Sequence, residues 1–160
     1  MNKAQFQTLF AYNWHTTRQL IECAARLSEA EYTENPGYGH GSIHDLLFHL
    51  LRSARNWRQT LESGRQPASP TVEDYPDLEA IKAGFAGEQV AWEGYLEGLS
   101  EAEIDEAMEL TNRRGETFLT PRWRVLQHLV LHGMQHHSEL AQLLTARGQS
   151  PGNIDFIFYQ

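Results

Sequence analysis

The chain has 160 residues, 41% of them hydrophobic, and a formal net charge of −8. That length is most simply one domain, 1–160, able to bury roughly 70% of the surface its unfolded chain exposes. The acidic balance raises the electrostatic work of approaching DNA, RNA or an anionic membrane, and no Lys/Arg-rich tract reverses it locally, so neither nucleic acid nor membrane is expected as a partner. A single cysteine, Cys23, allows no intrachain disulfide and no thiolate cluster for a metal. Met1-Asn2-Lys3-Ala4-Gln5-Phe6-Gln7 lacks the apolar core of a signal peptide, and no segment suits a bilayer span, so a cytoplasmic location is expected.

Hydrophobic periodicity predicts four long helices. The first runs from about residue 3 to 27, with Phe6, Leu9, Phe10, Trp14, Leu20, Ile21, Ala24 and Leu27 on one stripe. Asn13 and Thr17 interrupt that stripe, either as satisfied core polar groups or as the lining of a polar cleft. After the glycine-rich loop Asn35–Gly41, Ser42 is a good N-cap for a second helix carrying Ile43, Leu46, Leu47, Leu50, Leu51, Ala54, Trp57 and Leu61. That helix stops near Gly64, ahead of Pro67 and Pro70.

Asp77 caps a third helix through Leu78, Ile81, Phe85, Trp92, Leu96 and Leu99; its Gly84, Gly87, Gly94 and Gly98 make it the least favourable of the four. Ser100-Glu101-Ala102-Glu103 has the pattern of a capped helical turn. Met108–Thr111 and Glu116–Leu119 then flank Asn112-Arg113-Arg114-Gly115, which reads as a hairpin. Thr120-Pro121 supplies an N-cap and a proline at the first helical position for the fourth helix, which ends at Gly148 with Pro151 beyond.

Chemistry concentrates in the histidines. His132 and His136 lie one turn apart on the fourth helix, within the apolar stripe of Val125, Leu126, Leu129, Leu140, Leu143 and Leu144. Gly133 between them would admit a close neighbour. His128 and His137 fall outside the stripe on opposite sides, His128 as a neighbour of the pair or a solvent-facing group. Two imidazoles in an apolar seam need partners, since an unpaired dry nitrogen costs on the order of 1–3 kcal/mol. One metal ion, or bonds within the core, would serve. A third imidazole would complete a site with room for water or substrate. His49, on the edge of the second helix's apolar face near Leu46, Ser53 and Asn56, borders a cleft or solvent. His15, His40 and His44 carry little weight.

Other motifs are excluded or mute. Position 133 is glycine, so there is no HExxH, and neither a GxSxG elbow nor a Walker loop occurs. Asp74, Asp77 and Glu79 lack EF-hand spacing. Arg52, Arg55 and Arg58 form a solvent face or a seat for an anionic substrate group.

Several features, in order, carry a likeness. They are Tyr12-Asn13-Trp14; Ser42-Ile43-(x)2-Leu46-Leu47-(x)-His49 with Trp57 eight residues on; the hairpin before Trp123; His132-(x)3-His136-His137; and Gly148 followed by Asp155 and Tyr159. Over nearly the full length the chain resembles the DinB/YfiT-like family of bacterial four-helix bundle proteins. The resemblance implies an all-α four-helix bundle of unusual topology, with a small hairpin before the last helix. It also implies a homodimer, and a divalent metal held by His49, His132 and His136 at one end of a cleft. One departure stands out: the acid often found between the second-helix histidine and its tryptophan is missing from Leu50-Leu51-Arg52-Ser53-Ala54-Arg55-Asn56. Glu139, the nearest acid in the fourth helix, projects away from the centre of its stripe.

The family does not fix one activity. What it implies is metal-dependent chemistry on a small-molecule substrate, with thiol-dependent transfer slightly ahead of hydrolysis and a low-molecular-weight thiol as co-substrate. Zinc or nickel is the expected ion, although imidazole does not select strongly between them. The alternative is a non-catalytic, stress-related dimer that binds a small ligand or a protein, suggested by the lack of an obvious general base. The sequence leaves open whether the protein is an enzyme.

Overall fold

The computed structural model describes residues 1–160. Four long helices carry the architecture: α1 (Lys3–Ala24), α3 (Ile43–Ser63), α4 (Leu78–Gly98) and α6 (Arg122–Ala146). Between them lie the one-turn helices α2 (Glu29–Thr33) and α5 (Glu101–Asp105), and a hairpin of β1 (Ala107–Thr111) and β2 (Thr117–Pro121). No helix is long and apolar enough to cross a membrane.

Local sequence explains where the helices begin. Asn2, Ser42 and Asp77 each accept a hydrogen bond from the backbone three residues on, and Gln5 and Asp45 bond back to close capping boxes on α1 and α3. Such caps contribute about 1 kcal/mol each. Gly64 ends α3 in the left-handed region (φ 75°), where a side chain would be strained. Another box, Ser28 with Glu31, nucleates α2, which the periodicity does not predict because it is too short to show a stripe.

One expectation needs correction. Helix α6 starts at Arg122, because Pro121 is extended (ψ 143°) and still pairs with Ala107 in the hairpin; Thr120 is therefore not the cap. Helix α4 forms over its full length despite its glycines. Packing explains one of them: a Cβ at Gly84 would lie 2.5 Å from Leu51 Cδ2 and 2.7 Å from Tyr75 Cε1. That close approach to α3 offsets the low propensity of glycine.

Around the bundle, α1 packs against α4 and α6, and α3 against the same two. The successive helices α1 and α3 thus sit on one diagonal, and α4 and α6 on the other. The connection through α2 and the one through the hairpin lie at opposite ends of the bundle: Glu34 meets Arg147 at the C-terminal end of α6, and the hairpin leads into its N-terminus. Phe6, Leu20, Ile43, Leu47, Trp92 and Leu126 are fully buried at the centre. The indole of Trp92, the largest fully buried side chain, donates to the carbonyl of Ala54 and so has its polar atom paired.

Arg58 does not join Arg52 and Arg55 on an open face. Its guanidinium grips Glu88 of α4 through two bonds of 2.8 Å, with both side chains largely buried. The hairpin register sets Met108 opposite Thr120 and Leu110 opposite Phe118. A parallel bridge from Arg65 to Thr111 ties the hairpin to the end of α3.

Candidate metal centre

The packing of α3 on α6 brings together histidines that are far apart in sequence. His49 Nε2 lies 3.0 Å from His132 Nε2, which lies 3.1 Å from His136 Nε2. His136 is 2% exposed, whereas His49 and His132 are half-buried and border the surface. The expectation of an equally buried His132/His136 pair therefore holds only for His136.

Hydrogen bonds alone cannot satisfy these contacts. His136 Nδ1 lies 2.9 Å from Glu139 Oε2, so Nδ1 carries the proton and donates to the carboxylate, leaving the lone pair of Nε2 facing His132. His132 Nε2 can donate to that lone pair or accept from His49, but a neutral nitrogen cannot do both. Burial, aided by the neighbouring imidazoles, pushes His49 and His132 down to about 4, so both rings are neutral near pH 7. A cation would take all three lone pairs at once. Its bond lengths also suit the spacing: zinc–nitrogen bonds of about 2.0–2.1 Å put tetrahedral ligand atoms about 3.3 Å apart.

Glu139 projects from the edge of α6, away from the centre of its stripe as its helical face implies, yet it reaches back to His136; the i, i+3 spacing was the available signal for that bond. Burial tends to raise its carboxyl, but the hydrogen bond from His136 outweighs that and holds it below the usual range.

His40 is an omission. Its ring stacks on His49 at 4.4 Å and meets His136 edge-on at 4.6 Å. His40, His49 and His136 form a set whose ligating nitrogens all lie within 4.8 Å of one another. His132 stands outside that set, although its Nε2 contacts both His49 and His136 at about 3 Å; it stands on a helix, whereas His40 is exposed, on the loop before α3. His128 is also exposed, 5.6 Å from the ring of His132 and against Trp57.

His137 is not outside the core as its helical angle suggested: it is 1% exposed. Its Nε2 meets the Thr17 hydroxyl at 2.9 Å, and that hydroxyl also donates to the carbonyl of Asn13. Burial lowers His137 to about 3, so the ring is neutral. Asn13, Thr17, His132, Gly133 and His137 line a cavity of about 30 Å³ behind the cluster. Both readings of Asn13 and Thr17 are thus partly met: Thr17 is bonded, while Asn13 Oδ1 is buried without a partner.

In the acid-free stretch after His49, Arg52 is the residue that reaches it. Its Nη2 lies 3.4 Å from His49 Nδ1, and its guanidinium sits over the ring of Phe48. Guanidinium only donates, so ligation through His49 Nε2, which places a proton on Nδ1, requires Arg52 to give way.

The model of the DinB family matches residues 1–160. The chain belongs to the DinB family. Among curated proteins, none matches it. Solved structures that share its fold include two from Bacillus subtilis. The DinB-like protein YjoA from Bacillus subtilis superposes with a TM-score of 0.64 at 19% identity, covering 89% of this chain and 93% of that one. YfiT from Bacillus subtilis, described as "a probable metal-dependent hydrolase with an unusual four-helix bundle topology", gives 0.71 at 13% identity, covering 94% and 91%. The four-helix bundle is what this DinB chain shares with that description.

Proposed function

We propose that this DinB protein is a metal-dependent enzyme acting on a small molecule, with a divalent ion, zinc or nickel, held by Nε2 of His49, His132 and His136. The observation that carries the reading is the pair of contacts that His132 Nε2 makes with His49 and His136, which hydrogen bonding cannot satisfy together and one cation can. Such an ion, when bound, draws the pKa of a coordinated water or thiol down toward neutrality.

The contribution of the chain is positional. Glu139 fixes the tautomer and ring orientation of His136. His132 and His136 project from one helix face, and α3 presents His49 against them. Arg52 supplies a positive charge beside His49, which suits an anionic group on the substrate. Cys23 is buried, so a reacting thiol would come from a separate low-molecular-weight molecule.

Thiol transfer to a small electrophile is the first reading, from the family resemblance, and hydrolysis the second, supported by the description of YfiT. The acidic chain is taken to act as a cytoplasmic homodimer without nucleic acid.

The test is a screen of zinc- and nickel-loaded protein against thiol-plus-electrophile pairs and against esters and amides. Turnover that needs the metal and disappears in His136→Ala is the expected result. Turnover unchanged by that substitution, or no turnover with a fully loaded site, would overturn the enzymatic reading.

A further inference from the structure

We propose that His40 is a fourth, displaceable ligand of this metal: it closes the coordination sphere at rest and yields its position to the incoming substrate donor. The inference rests on the proposed three-histidine site and adds to it a means of opening.

His40 differs from the other three in how it is held. They stand on long helices, whereas His40 sits on a loop between Gly39 and Gly41. Gly37, Gly39 and Gly41 all have positive φ, at 81°, 65° and 93°, a region L side chains rarely adopt. At Gly37 and Gly39 a Cβ would meet nothing within 4 Å, so glycine there serves backbone conformation and not packing. The imidazole thus has permissive backbone on both sides.

The ring is nonetheless aimed at the cluster. It stacks on His49 with planes 25° apart and meets His136 at 89°. Its nitrogen lies within 4.8 Å of theirs, against roughly 3.3 Å between ligand atoms on tetrahedral zinc, so any remaining gap is within reach of a small swing of the glycine-flanked loop.

There is also room to retreat. A hollow of about 60 Å³ beside the loop is lined by Tyr38, Gly39, His40, Gly41 and, from α6, Glu139 and Leu143. Four imidazoles make a closed site and three make an open one. Because His40 alone is carried by a loop, it is the ligand that can leave while the ion stays on the bundle.

The experiment uses Co²⁺ as the probe, on full-length wild type, His40→Ala and His136→Ala. Visible spectra and competition with a chromophoric chelator give the coordination number and affinity. Wild type should show the intense bands of four-coordinate cobalt. His40→Ala should bind roughly tenfold more weakly or worse, with the faint bands of five or six ligands, and free imidazole should restore the intense spectrum. Added 2-mercaptoethanol should form its thiolate–cobalt charge-transfer band at about tenfold lower concentration in His40→Ala, because no resident ligand competes.

Identical spectra, metal affinity and thiol affinity in wild type and His40→Ala would overturn the role of His40 and leave the three-histidine site standing. Failure of wild type to bind Co²⁺ at all would overturn both.

Discussion

Asn13 of α1 occupies the space that a side chain at position 133 of α6 would need: a Cβ there would lie 2.5 Å from Asn13 Nδ2 and 2.9 Å from its Cγ. The absent side chain is what lets α1 close on α6 between the two histidines of the HxxxH pair. Gly133→Ala should displace Asn13 and spread the helices, costing about 1–3 kcal/mol of stability. Denaturant unfolding measures this, and the metal titration of the same variant should weaken, since His132 and His136 flank the strained point.

Removing the carboxylate behind His136 should act on metal affinity and much less on the fold. Glu139→Ala leaves Nδ1 of His136 without an acceptor and the ring free to turn; partners of this kind are typically worth 10–100-fold in affinity. Glu139→Gln, which can still accept through its amide oxygen, should fall between wild type and alanine. A chelator-competition titration ranks the three. Equal affinities would remove Glu139 from the site.

The metal-free protein should lose stability in acid through His137. Its folded pKa lies well below the unfolded value of about 6.5, near 3, so below pH 6.5 the unfolded chain binds the proton and the folded one does not. The stabilisation is complete above about pH 6.5 and is lost progressively as pH falls toward 3. With the ring almost fully buried, this amounts to a few kcal/mol. Urea midpoints measured from pH 7 down to 4 on the metal-free protein should fall. His137→Gln, itself less stable at pH 7, should show a shallower decline.

The Arg58–Glu88 pair provides a control away from the centre. Glu88→Ala strands a largely buried guanidinium, and breaking such a pair costs about 3–5 kcal/mol, at the lower end here because Glu62 also bonds Arg58. Metal stoichiometry at neutral pH should not change while the variant is folded. Loss of metal alongside stability would tie the α3–α4 seam to the site.

Much of this was legible in the sequence because it is local. The caps at Ser42 and Asp77, the Gly64 stop and the Asn112–Gly115 turn follow from the residues that form them. His132 and His136 were visible because i, i+4 spacing on a helix fixes their relation. The misses concern partners that periodicity cannot supply. His137 lies off the stripe by its helical angle, yet it is buried because α1 brings Thr17 to it. His40 has no helix to define its direction. Arg58 reads as solvent-facing until Glu88, thirty residues away, is placed against it. The diagonal order of the helices is likewise set by tertiary packing and is not written in any one stripe.

His49 and His132 are 83 residues apart, and their nitrogens meet only once α3 has docked on α6. An ion shared between them would therefore act as a cross-link closing a long loop, restricting the unfolded chain as a disulfide does. With Cys23 its only cysteine, the chain cannot make that link through sulfur. Tight metal binding would then require the native helix arrangement, and the midpoint of unfolding would rise with the concentration of free ion.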